Sequence, residues 1–195
     1  PWHHKADNYW RGPLSVGPDG EVSEREERRA VAAYYANVED MDTRCGRVLD
    51  ALRAAGEDLD EWIIIYTSDH GEMMGDHGFW EKHSFYESSV RVPLVIRWPR
   101  GFEGGRTVEE NVNLVDLFAT MCDLAGIDMP AAPEVRDSRS LVPLLNGSPE
   151  GWQNTTYSEI DGTCLMVKDG PLKYNWYGDE YPEELFDLSV DPCEA

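Results

Sequence analysis

Basic charge is what this sequence has least of. Against 38 Asp and Glu stand 17 Lys and Arg, a formal charge of −21 over 195 residues, and the lysines are Lys5, Lys82, Lys168 and Lys173. Phosphate backbones would repel such a surface over most of its area, which excludes a nucleic-acid partner gripped by a basic face. Anionic membranes are disfavoured for the same reason. Long apolar runs are lacking too, and none approaches the roughly 20 residues a membrane-spanning helix needs. Cys45, Cys122, Cys164 and Cys193 are scattered, with no Cys-x-x-Cys pair, so neither a zinc site nor a disulfide framework is expected. An initiator Met is missing. The chain opens on Pro1, reads as cut from something longer, and leaves its compartment open.

What is present supports a packed fold. Hydrophobic residues make up 41% and aromatics 11%, including seven Trp, which is core material and not the composition of a disordered acidic tail. At about 100–200 residues per domain, the length allows one domain or a little more.

Residues 1–22 read as irregular, broken by Pro13, Gly17, Pro18 and Gly20. Ser23 followed by Glu26 is a capping box. Behind it Val31, Tyr34, Tyr35, Val38, Met41, Cys45, Val48, Leu49 and Leu52 recur at helical intervals, and Gly56 is a stop, so a long amphipathic helix is expected over residues 24–55. Trp62–Thr67 is a continuous apolar, β-branched run, read most simply as a strand of a parallel sheet covered on both faces. Val92–Arg97 is a second buried-strand candidate, with Pro93 near its start. Val112, Val115, Phe118, Cys122 and Ala125 form a second helical pattern ending at Gly126, and Ser140–Leu145 a helical turn. From about residue 153 short segments, Thr155–Glu159, Cys164–Lys168 and Leu172–Trp176, alternate with turn signals and suggest an antiparallel meander, followed by an apolar clip at Glu184–Leu188. The fold class is therefore α/β, with residues 1–150 as a mixed sheet flanked by helices and residues 151–195 as a small antiparallel subdomain.

The chemistry concentrates in Ser68–His83, which leaves the C-terminal end of the first expected strand, the edge where ligands bind in open α/β sheets. Asp69 offers a carboxylate suited to a hard divalent cation, and His70 beside it can ligate or hydrogen-bond next to that cation. Gly71 removes a side chain where backbone must approach closely. Lys82 is the only lysine between positions 6 and 167. A point cation beside a metal is how a site holds a tetrahedral oxyanion. Each part alone has an ordinary reading: Asp-His-Gly is a common turn, and Lys82 with His83 could be a solvated loop. The strand, the Asp-His-Gly and a lysine twelve residues beyond the histidine make a far narrower pattern together.

That ordered pattern, Ser68-Asp69-His70-Gly71, Gly75-Asp76-His77-Gly78-Phe79-Trp80-Glu81-Lys82, Tyr86-Glu87 and Val92-Pro93-Leu94, resembles the second half of a sulfatase of the alkaline phosphatase superfamily, of the choline-sulfatase or arylsulfatase kind. Tyr34–Asp42, Asn113–Thr120, Ser140–Gly147 and Glu184–Glu194 resemble further landmarks, so the likeness covers roughly residues 24–194. The resemblance implies an alkaline-phosphatase-like fold and a parent enzyme that hydrolyses a sulfate ester. It implies Asp69 and His70 as ligands of a divalent metal, usually calcium, with magnesium or manganese as alternatives. Lys82 and His70 would be catalytic, and Lys82 and His83 would bind the substrate, a sulfate ester of a small molecule or a sulfated glycan. Phosphonate monoester or phosphodiester hydrolysis is the alternative chemistry on the same fold, and a non-catalytic homologue the alternative class.

Members of the family carry upstream a Cys-x-Pro-x-Arg or Ser-x-Pro-x-Arg signature whose Cys or Ser is oxidised to formylglycine. No Cys or Ser in this sequence has that context. His3 and His4 sit in no comparable motif. The resemblance thus implies a C-terminal portion that needs the N-terminal half of its own protein and is inactive alone.

Overall fold

The computed structural model describes residues 22–130, 137–179 and 181–195, so the expected irregular stretch 1–22, with His3 and His4, lies almost wholly outside the described residues. Contacts group the chain into two units, one running to Arg100 and the other from Gly101 to Ala195.

The first unit begins with α1, Glu24–Ala54. Ser23 starts it as the capping pattern predicts, its hydroxyl accepting the Glu26 amide at 3.3 Å. Glu24, Glu26 and Glu27 place negative charge at the positive end of the helix dipole. Gly56, at φ 90°, ends it: the Gly56 amide bonds Arg53 O and the Glu57 amide bonds Leu52 O, a Schellman closure. The apolar stripe of α1 stays largely exposed, with Tyr35 at 63% and Val48 at 61%.

Next come β1, Ile64–Thr67, a four-residue helix α2, Glu87–Val90, and β2, Leu94–Arg97. The expected parallel sheet is corrected here. β1 and β2 pair antiparallel, Ile64 opposite Arg97 and Thr67 opposite Leu94. A continuous apolar run reports burial and carries no strand direction. Direction comes from the charged ends: the Arg97 guanidinium bonds Leu59 O at 2.7 Å and the Asp60 carboxylate, and Arg100 pairs with Glu61 at 2.7 Å and Asp58 at 3.3 Å. These ties bring the end of β2 to the start of β1. Nor are both faces covered within the described residues, because the cross-strand pair Tyr66 and Val95 is 46% and 57% exposed.

In the second unit α3 is Asp116–Leu124 and α4 is Val142–Leu145. α3 starts later than its apolar periodicity suggests, because Asn113 and Asp116 close a reciprocal turn: the Asp116 carboxylate accepts the Asn113 amide at 2.9 Å, the Asp116 amide donates to Asn113 O at 3.0 Å, and the Asn113 side chain accepts the Val115 amide at 3.3 Å. Asp116 is fully buried, also accepts the Arg139 amide at 2.9 Å, and faces the Arg139 guanidinium at 3.5 Å. Arg139 in turn lies over Trp152, 4.1 Å from the ring centroid.

The expected meander forms as β3 (Thr155–Ile160), β4 (Cys164–Asp169) and β5 (Leu172–Trp176), antiparallel in sequence order, and the apolar clip adds a fourth strand, β6 (Glu184–Asp187). One face carries Thr156, Met166, Lys173 and Asn175, all buried. Lys173 and Glu194 form an ion pair at 2.7 Å with both side chains almost wholly out of solvent. The molecule is thus a mixed α/β chain with a small C-terminal antiparallel sheet, and no described helix is long and apolar enough to cross a membrane.

Candidate active site

The loop between β1 and α2 holds every residue singled out by the sequence. It is wound on a small apolar plug formed by Met73, Phe85 and Tyr86, with Phe85 fully buried. Its path needs several left-handed residues, among them Met74, Gly75, His77, Gly78 and Glu81. The loop is pinned to α2 by close backbone contact. The Gly71 amide donates to Ser89 O at 2.7 Å, and a Cβ on Gly71 would stand 2.1 Å from Ser88 O, so no side chain fits there. Ser88 donates to the Asp76 carboxylate, and the Ser89 hydroxyl donates to Lys82 O. His77 stacks on Tyr86, ring centroids 3.9 Å apart and 5° from parallel.

This winding brings Asp69, His70 and Lys82 together. His70 Nδ1 lies 2.7 Å from Gly71 O, and Lys82 Nζ lies 2.8 Å from His70 Nε2. A carbonyl oxygen only accepts and an ammonium only donates. A neutral ring meets both contacts with its proton on Nδ1 and its lone pair on Nε2. Asp69 Oδ1 accepts the His70 amide at 3.0 Å and stands 3.7 Å from Nε2. The Asp69 side chain is 85% exposed, so its other oxygen faces outward. Its carboxyl is held below the ordinary carboxylate range: the positive charge of a protonated His70 is the largest cause, desolvation comes next and opposes it, and the backbone amides of Asp69 and His70 and the Lys82 ammonium add to the lowering. His83 follows Lys82 and is half-buried.

A carboxylate oxygen and an imidazole lone pair on adjacent residues are a donor set that fits a divalent cation. Among the described residues no group of three or more His, Cys, Asp or Glu side chains converges, so this pair would be part of a coordination shell.

Sequence reasoning overlooked two residues that shape the loop. Glu72 Oε1 accepts the amides of Glu81 at 2.6 Å and Met74 at 3.3 Å, and Ser89 holds the carbonyl of Lys82. Both act on backbone groups brought near by the fold, and residue spacing carries no trace of that.

Comparison with known proteins follows the same outline. A family model described as Sulfatase matches residues 4–127, and one described as N-sulphoglucosamine sulphohydrolase, C-terminal, matches residues 75–195. The choline-sulfatase of Rhizobium meliloti (strain 1021) is 36% identical over 181 residues, covering 89% of this chain and 34% of that protein. The arylsulfatase of Clostridium perfringens (strain 13 / Type A) is 31% identical over 196 residues, covering 99% and 40%. Among solved structures, one in complex with its substrate D-glucosamine-2-N,6-O-disulfate superposes at a TM-score of 0.77 with 30% identity, over 87% of this chain and 36% of that one. The phosphonate monoester hydrolase of Agrobacterium radiobacter superposes at 0.76 with 32% identity, over 92% and 41%. The chain spans between 34% and 40% of the length of these two curated relatives. With sulfatase models matching both its halves, and with a fold like that of the solved sulfatases of the alkaline phosphatase superfamily, the chain belongs to the sulfatase family.

Proposed function

We propose that this chain supplies one wall of a sulfate-ester hydrolase site, with Asp69 and His70 holding a divalent cation and Lys82 binding the sulfate oxygens. The observation that carries the reading is the 2.8 Å approach of Lys82 Nζ to His70 Nε2, beside the exposed Asp69 carboxylate. A bound cation would act as a Lewis acid on a sulfate oxygen. The carboxylate suits a hard divalent cation, with calcium as the first candidate and magnesium or manganese as alternatives.

Lys82 does the rest of the work visible in this chain. Its ammonium has three donors. Turned from Nε2 toward a bound ester, it would donate to non-bridging sulfate oxygens and offset charge that grows on them in the transition state. His83, next in the chain, would be a second contact to the same anion. Lys82 is the only Lys or Arg between Ser68 and His83, and a single cation there favours a small anion over an extended polyanion.

The nucleophile is not here. Without a Cys-x-Pro-x-Arg or Ser-x-Pro-x-Arg segment, this chain alone binds and orients but does not turn over, and needs the N-terminal half of its protein. A sulfated small molecule or sulfated sugar is the substrate class, a reading supported by the relative solved with a disulfated glucosamine. The likeness to a phosphonate monoester hydrolase gives the second reading, hydrolysis of a phosphonate or phosphate ester.

The test is an assay of sulfate and phosphonate aryl esters with the chain alone and with the chain joined to the preceding part of its protein. Sulfate-ester turnover by the joined protein, lost in Lys82→Ala, is expected. Turnover by the chain alone, or a preference for phosphonate esters, would overturn the first reading.

A further inference from the structure

We propose that Glu72 is the positioning residue that holds Lys82 beside His70, and that it does so as a hydrogen-bond acceptor of fixed reach and not as a charge. The inference rests on the reading of Lys82 as the oxyanion donor and adds the part that keeps it in place.

Lys82 is exposed, and four rotatable bonds separate its ammonium from the backbone. Its aim is therefore only as good as the placement of its backbone. That backbone is clamped at each step. The Glu72 carboxylate accepts the Glu81 amide at 2.6 Å. The Met73 amide donates to the Glu81 carbonyl at 2.9 Å. Consecutive residues on the outgoing arm of the loop thus take both polar groups of Glu81 on the returning arm. On the other side of Lys82, its carbonyl accepts from the Ser84 amide at 2.9 Å and from the Ser89 hydroxyl.

Glu81 is also one of the loop's left-handed, side-chain-bearing residues. Its φ is +69°, a left-handed conformation that a side-chain-bearing residue keeps only where its surroundings enforce it. The Glu72 side chain reaches across to this peptide, and the same oxygen also takes the Met74 amide at 3.3 Å, where Met74 is itself left-handed at φ 51°. One oxygen therefore secures two of the loop's left-handed residues. Both its partners are neutral amides, so what the geometry requires at residue 72 is an acceptor at the right distance. A glutamine oxygen meets that requirement. An aspartate keeps the charge but is a methylene too short.

The experiment compares Glu72→Gln with Glu72→Asp in the 195-residue chain carrying 15N-labelled histidine. The His70 Nε2 resonance reports whether the Lys82 ammonium is on it, with Lys82→Met as the reference for a lost contact. Inorganic sulfate is then titrated as the probe of the anion site. Glu72→Gln is expected to keep the wild-type Nε2 resonance and sulfate affinity. Glu72→Asp is expected to shift that resonance toward the Lys82→Met value and to weaken sulfate on the order of tenfold, with the urea midpoint of both variants within the same range. If Asp keeps the contact, or Gln loses it, the proposal is overturned. If sulfate fails to bind the wild-type chain at Lys82, the anion-binding reading falls, while the Nε2 comparison still decides the role of Glu72.

Discussion

The ammonium of Lys82 and the Nε2 lone pair of His70 are bonded to each other at 2.8 Å, although twelve positions separate the two residues. That lone pair is the one a cation would need. On the proposed reading the two ligands would exclude one another, so a cation at His70 would release Lys82 for an anion and the two binding events would be linked.

Lys82→Met is therefore expected to bind Mn²⁺ more tightly than wild type, on the order of tenfold, since both a competitor and a like charge are gone. Loss of the free Mn²⁺ signal in electron paramagnetic resonance titrations measures it. The same variant should lose sulfate affinity. An unchanged Mn²⁺ affinity would show that ammonium and cation do not share Nε2.

Gly71 has no room for a methyl group, because Ser88 O would be 2.1 Å away and is itself backbone. Gly71→Ala must push α2 from the loop and break the bond from the Gly71 amide to Ser89 O. A loss of about 1–3 kcal/mol in urea unfolding is expected. A variant as stable as wild type would mean that this contact yields freely.

Asp116 is the acceptor around which α3, Arg139 and the approach to β3 are tied. Asp116→Ala strands the amides of Asn113 and Arg139 and removes the carboxylate facing the Arg139 guanidinium. About 3 kcal/mol of destabilisation is expected in thermal unfolding. Asp116→Asn, with one acceptor oxygen, should fall between the two.

Acid should weaken the tie between β2 and the turn before β1. The carboxyl of Asp58 is held below its ordinary value of 3.8, chiefly by the Asp60 amide, with Arg100 and Arg97 adding to the effect against some desolvation. The folded state then binds fewer protons than the unfolded state as pH drops past that value. Its contribution is present in full above about pH 4 and disappears as pH falls through the lower folded value. Urea midpoints followed from pH 6 toward about pH 2 should decline less steeply in Asp58→Asn. Identical pH profiles would exclude Asp58 as a contributor.

Much of this was legible before any coordinates. Ser23, Glu26 and Gly56 bound α1 to within a residue, because caps and stops are local chemistry. Asp69, His70 and Lys82 stood out because a metal-suited pair and a lone lysine are rare in so acidic a chain. Strand direction was not legible: Trp62–Thr67 is apolar throughout, and the arginines that set its antiparallel partner lie more than thirty residues away, at Arg97 and Arg100. β6 is four residues long, too short for alternation to show, and is a strand because β5 offers it an edge. Glu72 and Ser89 were invisible for a related reason. Their partners are amides and carbonyls, which every residue possesses.

Asp69, His70, Glu72 and Lys82 all lie on one short stretch of chain, and their mutual bonds close within it and the first turn of α2. Such an arrangement is portable. Its internal aim is set before anything else docks, so neighbouring loops can lengthen, shrink or change sequence without retuning it. If Lys82 holds the anion as proposed, substrate range could then drift while that grip stays fixed.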